Sequence, residues 1–330
     1  MNRRPTLEDV AARAGVSRAL VSIVMRAAPG ASSQTRERVR RAADDIGYRP
    51  DPRARRLRQH RSHLIGLTFA AGQEFHADLV DGVYVAADAL GYDVVLSAVT
   101  PHRDELRAVR TLVDDRCEGL VLIGPQMRAG RLIDLASRMP VVVMARRVRG
   151  VDAVRSDDVT GALVGTDHLL GLGHRRILYL DGGGAPGAAE RLRGYRRAAR
   201  RAEVAELVRP GGLTEREGAA AAAAMLDAGD LPDAVFAFND RCALGVMDVL
   251  IRSGVSVPQQ ISILGFDDSP LAGLAHIQLT TIRQDSAGLA AAAVGRLVAR
   301  LDGDDAGGAT ADIVREPTLV VRGSTAPPIA

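Results

Sequence analysis

The sequence predicts a small all-α head with helix-turn-helix spacing, joined to a larger α/β body whose parallel sheets form two lobes. Three observations carry this expectation. Charge is split along the chain: residues 1–61 hold 15 Arg against 6 Asp and Glu, a net of +9, whereas the 330-residue whole is only +3, which leaves residues 62–330 at −6. Short helical patterns crowd the head, while from His63 onward short apolar runs alternate with amphipathic stretches. The body spans 269 residues, more than one core comfortably serves, so it divides in two.

A basic head on an acidic body points to a polyanion-binding module, because clustered Arg neutralises phosphates. A solvated basic arm would carry the same charge, and the pattern of the head separates the two. Thr6-Leu7-Glu8-Asp9 reads as an N-cap with an acid three residues on, beside the positive end of a helix. Val10, Ala11 and Ala14 recur at helical spacing, and Gly15 stops the helix. Ser17 caps a second helix with apolar Leu20, Val21 and Val24. Two short helices about a Gly turn have the spacing of a helix-turn-helix. A third helix follows at about Ser33–Ile46, with Val39, Ala42, Ala43 and Ile46 on its inner stripe and Gly47 at its stop.

These residues resemble the LacI/GalR family of bacterial repressors. The resemblance is carried by Thr6-Leu7-Glu8-Asp9-Val10-Ala11, Ala14-Gly15-Val16-Ser17, Val21-Ser22, Val24, Thr35-Arg36, Val39 and Gly47-Tyr48-Arg49-Pro50. It implies that the second helix enters the major groove with Arg18 and Ala19 at the base edges. Arg18 can grip a guanine bidentately or hold a phosphate, and Ala19 can touch a thymine methyl. Ser17, Ser22, Ser33 and Thr35 are candidates for phosphate oxygens, and Thr6, Ile23 and Arg26 complete the expected DNA-contacting set of the head. The family usually has Thr-Val-Ser-Arg-Val-Leu-Asn where this chain reads Leu20-Val21-Ser22-Ile23-Val24-Met25-Arg26. Ile23 stands where an arginine often reads a base. An apolar residue cannot donate to guanine, so an atypical operator is expected.

Pro50 to Arg58 forms the linker, read either as a hinge helix or as a disordered basic segment. Asp51 can cap a short helix and Pro52 suits its first position. About two turns are too few to stand alone in water, so something must order them. The resemblance implies a hinge that folds on DNA in a dimer. Leu57 would be wedged into the minor groove, with Arg53, Ala54 and Arg58 beside it and Arg55 and Arg56 adding charge.

In the body, Leu64–Leu67, Val94–Leu96, Gly119–Ile123, Val141–Val143, Ile177–Leu180, Ala234–Phe238 and Ile261–Phe266 read as strands. Leu79–Ala89, Glu105–Asp114, Arg191–Ala202 and the Ala-rich Glu217–Asp227 read as helices. Strands apolar on both faces and alternating with helices mean parallel sheets covered on two sides. The resemblance continues through Leu169, Gly171, Gly173-His174-Arg175-Arg176-Ile177, Phe238-Asn239-Asp240, Ala243, Gly245, Val257-Pro258, Gly265-Phe266-Asp267-Asp268 and Leu279-Thr280-Thr281-Ile282-Arg283-Gln284. It implies the two-lobed fold of periplasmic sugar-binding proteins, with the chain crossing between the lobes about three times, near 160, 285 and 317. The expected divisions are a helix-turn-helix domain at 1–50, a hinge at 51–61 and an effector-binding and dimerisation domain at 62–330. One lobe then takes about 62–160 and 285–316, the other about 161–284 and 317–325.

Ligands in open α/β sheets sit beyond the carboxyl ends of the strands. Asp157, Asn239, Asp240 and Asp267 fall there, as does Asp268. Arg191, three before Gly194, stands where the family places an effector-contacting arginine. Carboxylates, an amide and a guanidinium converging from two lobes suit a small polyol, whose hydroxyls both donate and accept. Asp240 either contacts ligand or caps the helix that follows. Gln284, Phe69 and Phe75 complete the expected effector set. All five Phe (69, 75, 236, 238 and 266) lie at or near strand ends, with core the expectation for Phe236 and Phe266. The mouth of the first lobe reads Ala70-Ala71-Gly72-Gln73-Glu74-Phe75-His76, where Phe75 and His76 fit the family's aromatic pair but its Asn-Pro is missing. A sugar effector is therefore implied by the family rather than read from these residues.

Cys117 and Cys242 read as ordinary buried thiols, and without a secretory signal they indicate a reducing cytoplasm. No apolar run approaches the roughly 20 residues of a membrane helix. The basic residues are all Arg, which reads as compositional bias. The tail after Arg322 lacks the heptads of a tetramerising coil, so a homodimer is expected. A solute-binding protein of a transport system would share the body, but the basic head argues against it. An enzyme built on Asp267, Asp268 and His174 finds no nucleophile motif, metal spacing or phosphate loop. Gly182-Gly183-Gly184 lacks the dinucleotide register, and His174 reads as structural. The sequence thus predicts a cytoplasmic, dimeric, ligand-responsive repressor of double-stranded operator DNA, without metal or cofactor.

Overall fold

The computed structural model describes residues 5–25, 28–48, 61–303 and 308–328. It divides into two compact units, Met1–Ser62 and His63–Ala330. Arg26, Arg53, Ala54, Leu57 and Arg58, and with them the expected hinge helix, lie outside the described residues.

The first unit comprises α1 (Leu7–Ala14), α2 (Arg18–Met25) and α3 (Ser33–Asp45). Thr6 Oγ1 accepts the Asp9 N–H while the Asp9 carboxylate accepts the Thr6 N–H at 2.7 Å, a complete capping box. Gly15 ends α1 at φ +62°, a left-handed conformation that glycine adopts at low cost. Ser17 Oγ accepts the Leu20 N–H at 3.2 Å and starts α2. Ser32 caps α3, with its Oγ accepting the Thr35 N–H at 3.2 Å. Val10, Ala11, Ala14, Val21, Val24, Val39, Ala42 and Ala43 close one small core. Leu20, expected inside it, is only half-buried.

The second unit begins with β1 (Leu64–Ala70), α4 (Glu74–Ala89), β2 (Asp93–Val99), α5 (Glu105–Asp114), β3 (Gly119–Ile123), α6 (Ala129–Ala136), β4 (Val141–Met144) and β5 (Asp152–Ser156). It continues with α7 (Asp158–Gly171), β6 (Ile177–Asp181), α8 (Ala188–Arg201), β7 (Leu207–Pro210), α9 (Glu215–Asp227), β8 (Ala234–Ala237), α10 (Asp240–Arg252) and β9 (Ser262–Leu264). A short 3-10 turn at Pro270–Gly273, β10 (Thr281–Arg283), α11 (Ser286–Asp302), β11 (Asp312–Arg315) and β12 (Thr318–Val320) complete it.

Two parallel sheets result, in the orders β11-β5-β4-β3-β1-β2 and β7-β6-β8-β9. Helices cover both faces, so β3, β4 and β8 are buried at every residue. β10 and β12 pair antiparallel beside the second sheet. The chain leaves the first sheet after β5, returns to it with α11 and leaves again after β11. The first helix of the body starts at Glu74, five residues before the expected Leu79, which puts Phe75 and His76 in its first turn.

α9 and α10 approach closely because two glycines meet backbone. A Cβ at Gly245 would overlap the Glu215 carbonyl, and one at Gly218 the Cys242 carbonyl. This contact fixes the start of α10, where Asn239 Oδ1 accepts the Cys242 N–H at 2.9 Å and Asn239 Nδ2 donates to Leu213 O at 3.1 Å. Gly245→Ala should therefore force the helices apart and lower stability by about 1–3 kcal/mol in urea unfolding. An unchanged midpoint would mean that the helices separate freely.

Candidate ligand cavity and nucleic-acid interface

The carboxyl ends of the strands of both sheets surround a cavity of about 230 Å³. Ala70 at the end of β1, Gly124 after β3, Ser156 at the end of β5, Phe238 and Asn239 after β8 and Asp267 after β9 all border it. Arg191, on α8 and 6 % exposed, forms one wall. Its Nε donates to Asp158 Oδ1 at 2.8 Å and its Nη1 to the Phe238 carbonyl at 2.7 Å, while Nη2 lies 3.7 Å from Asp267 Oδ1. The guanidinium stacks over the Phe266 ring at 3.6 Å and the Phe238 ring at 4.5 Å. Gln284 Nε2 donates to the same Asp267 oxygen at 2.7 Å.

Burial pushes the Asp267 carboxyl up to about 7 even though Arg191 pulls it down. It raises Asp158 as well, again against Arg191. The two carboxylates more than offset the desolvation of Arg191, which stays cationic. His76 accepts the Ala70 N–H at Nδ1, 3.1 Å away, and burial holds its pKa at about 4. The ring is thus neutral near pH 7, with its proton assigned to Nε2 by that hydrogen bond.

Of the expected effector residues, Phe75, Arg191, Asn239, Asp267 and Gln284 line this cavity and Phe69, Asp157 and Asp240 do not. Phe69 packs into the first core against residues of α4 and α11. Asp157 caps α7, its two oxygens accepting the Thr160 N–H at 3.1 Å and the Thr160 hydroxyl at 2.8 Å, so the next residue, Asp158, faces the ligand space instead. Asp240 turns away from the cavity. It accepts the Ser269 N–H at 2.6 Å and the Thr281 hydroxyl at 2.5 Å, and the cap of α10 is Asn239. Sequence reasoning missed Asp158, Ser156 and Gln126 and gave His76 no ligand role; the Asp157-Asp158 pair after a strand was the available signal. His174 is buried, with Nε2 2.9 Å from both Ser262 Oγ and the Ala326 carbonyl.

Among the described residues, one hydrogen bond crosses the mouth from the second lobe to the first. Arg241 on α10 donates from Nη1 to Gly72 O at 2.7 Å, while Nε and Nη2 hold Glu215 at 2.8 and 2.6 Å.

In the first unit, Ser17, Arg18 and Ala19 are exposed at the start of α2. Arg18 Nη1 lies 3.4 Å from Glu8 Oε1, an exposed pair that a stronger anion displaces cheaply. Ser33 is exposed, Ser22 and Ile23 are half-buried, and the Thr6 and Thr35 hydroxyls bond to Asp9 and Ser32. Among the described residues no group of His, Cys, Asp and Glu could hold a metal ion, and no helix is long and apolar enough to cross a membrane.

Asp240 gives the fold a pH dependence of definite sign. Burial, then the neighbouring Asp267, push its pKa from 3.8 to about 8. An acid whose value rises on folding stabilises the fold while protonated, and that contribution is lost as pH climbs through the folded value. The melting temperature should fall between about pH 5 and 8, and Asp240→Asn should flatten part of that slope. Equal slopes would mean that Asp240 ionises as freely in the fold as outside it.

Comparison with known proteins agrees with both units. A family model for bacterial regulatory proteins of the lacI family matches residues 6–51, and one for a periplasmic binding protein-like domain matches residues 166–325. The HTH-type transcriptional regulator CelR of Thermobifida fusca is 35% identical, over 98% of this chain and 98% of that one. The lac repressor dimer bound to operator and the anti-inducer ONPF superposes with a TM-score of 0.84 at 29% identity, over 98% and 100% of the chains. The complex of the transcriptional regulator CelR with cellobiose gives a TM-score of 0.72 at 31% identity, over 97% and 100%. The chain belongs to the LacI family of bacterial regulatory proteins and is a DNA-binding transcriptional regulator, not an enzyme.

Proposed function

We propose that this regulator is a dimeric repressor whose operator affinity is set by a small polyol, a sugar or a close relative, held in the cavity. The observation that carries the reading is the buried Arg191, fixed by Asp158, the Phe238 carbonyl and two aromatic rings at the edge of a space lined by both lobes. A guanidinium with donors to spare, carboxylates, amides and aromatic faces in one cavity match a ring that presents hydroxyls at its rim and C–H at its faces. The cellobiose bound by the related CelR and the operator bound by the lac repressor dimer support the two halves of the proposal.

Ser17, Arg18 and Ala19 would meet the operator in the major groove. Exposed Tyr84 and Val85 on α4 and Leu96 on β2 support association with a second copy. A DNA target and two free buried thiols, Cys117 and Cys242, support a cytoplasmic protein. Effector would bind one arrangement of the lobes better than another, which is the condition for coupling.

Arg191→Ala tests the reading on an operator recovered by selection from random DNA. Effector affinity should fall by about tenfold or more, because charge-assisted hydrogen bonds are lost. Operator affinity without effector should stay within about twofold, since Arg191 belongs to the other unit. A variant with full effector response would place Arg191 outside the ligand site.

A further inference from the structure

The cavity at Arg191 has room for about one ring. Its volume of about 230 Å³ lies below the roughly 300–1,000 Å³ usual for small-molecule sites. The space continues beyond it. Gln126, Ala185 and Leu213 border both this cavity and a second, wider one of about 920 Å³. Gln126 comes from the first lobe, after β3. The other walls come from the second lobe: the Gly182–Gly184 turn after β6, Gly211 and Gly212 after β7, and one face of α9. That is again the carboxyl end of parallel strands, where ligands of open α/β sheets lie.

These walls present free polar groups. Glu105 fixes Gln126 by accepting its backbone N–H at 3.0 Å and that of Met127 at 2.7 Å. Among the described residues, the Gln126 side-chain amide, the half-buried Asp181 carboxylate and the Arg209 guanidinium have no hydrogen bond or ion pair. Gly184 is an independent sign of a ligand. The chain itself accounts for the other glycines of the wall: a Cβ at Gly182 would overlap the Phe238 ring, one at Gly211 would overlap Leu180, and Gly183 and Gly212 are left-handed. Gly184 is not left-handed, and a Cβ there would meet nothing within 4 Å. A glycine that the chain does not need leaves its backbone bare for the close approach of a ligand.

We propose that the effector is a disaccharide. One ring is held at Arg191, and the second lies in the adjoining space between Gln126 of the first lobe and Asp181 and Arg209 of the second. An amide, a carboxylate and a guanidinium match hydroxyls, which both donate and accept. Ala220 and Ala221 on α9 offer a shallow apolar face to the C–H side of the same ring. Because the second ring touches both lobes, it adds to the difference in affinity between lobe arrangements on which coupling depends. The inference rests on the proposed sugar effector and sets its size.

Calorimetry on the full-length protein near pH 7 tests it with matched neutral probes: glucose beside cellobiose and maltose, galactose beside lactose and melibiose, mannose beside mannobiose, and xylose beside xylobiose. In at least one set a disaccharide should bind about tenfold or more tighter than its monosaccharide, the worth of two ordinary hydrogen bonds. Ala220→Trp, at an exposed position of α9, should fill the second space and bring that disaccharide down to the affinity of the monosaccharide, which itself stays unchanged. Asp181→Ala should weaken the disaccharide alone, by about three- to tenfold. Unchanged monosaccharide binding shows that each variant folds, and the wild-type ratio decides the matter if neither does. Equal binding of monosaccharide and disaccharide in every set, or a disaccharide advantage that survives both variants, would overturn the second subsite and leave the sugar effector standing. Failure of every probe to bind would overturn the sugar effector, and this inference with it.

Discussion

One buried guanidinium organises the ligand-binding half of this protein. Arg191 reaches from α8 to the start of α7, the end of β8 and the turn after β9. Removing a charge from water is expensive unless it is paired and hydrogen-bonded, so these segments must converge for Arg191 to be buried at all. Asp267 shows the consequence in the backbone. It sits at φ +119°, a conformation rare for a side-chain-bearing residue and worth of order 1–3 kcal/mol in strain. Gln284 and Arg191 hold its carboxylate there.

The cavity joins parts of the chain that are distant in sequence, and its closure depends on few direct ties. Arg241 to Gly72 is one, and Glu215 pre-orients it from the neighbouring helix. The tight seam between α9 and α10 keeps Glu215 and Arg241 in register, since Gly245 lies against the Glu215 carbonyl. A ligand that alters the mouth therefore acts on a rigid two-helix block rather than on isolated side chains. That is the kind of element through which small displacements become a change of state.

Legibility in the sequence followed the range of the interactions. The capping box at Thr6 and Asp9 was readable because its partners are three residues apart. β3, β4 and β8 were readable because both their faces are buried, which leaves an unbroken apolar run. β7 and β11, at sheet edges and half-exposed or exposed, left no such run and were not identified. α4 was read short because Gln73 makes no side-chain cap, so nothing marked its start. In the site, Arg191, Asn239 and Asp267 were found through family pattern and strand ends. Asp157 and Asp158 are chemically identical, and only the backbone decides which one caps and which one faces the cavity. The role of Asp240 depends on Ser269 and Thr281, whose arrival beside it no local rule foretells.

The central claim is that cavity and operator are coupled. Its most direct measurement is the affinity of the effector with and without saturating operator DNA, at fixed salt. Coupling is reciprocal in free energy, so operator should change effector affinity by the same factor by which effector changes operator affinity, typically about 5- to 150-fold. Identical effector affinity in both conditions would contradict the account and leave a DNA-binding head beside a ligand-binding body that does not control it.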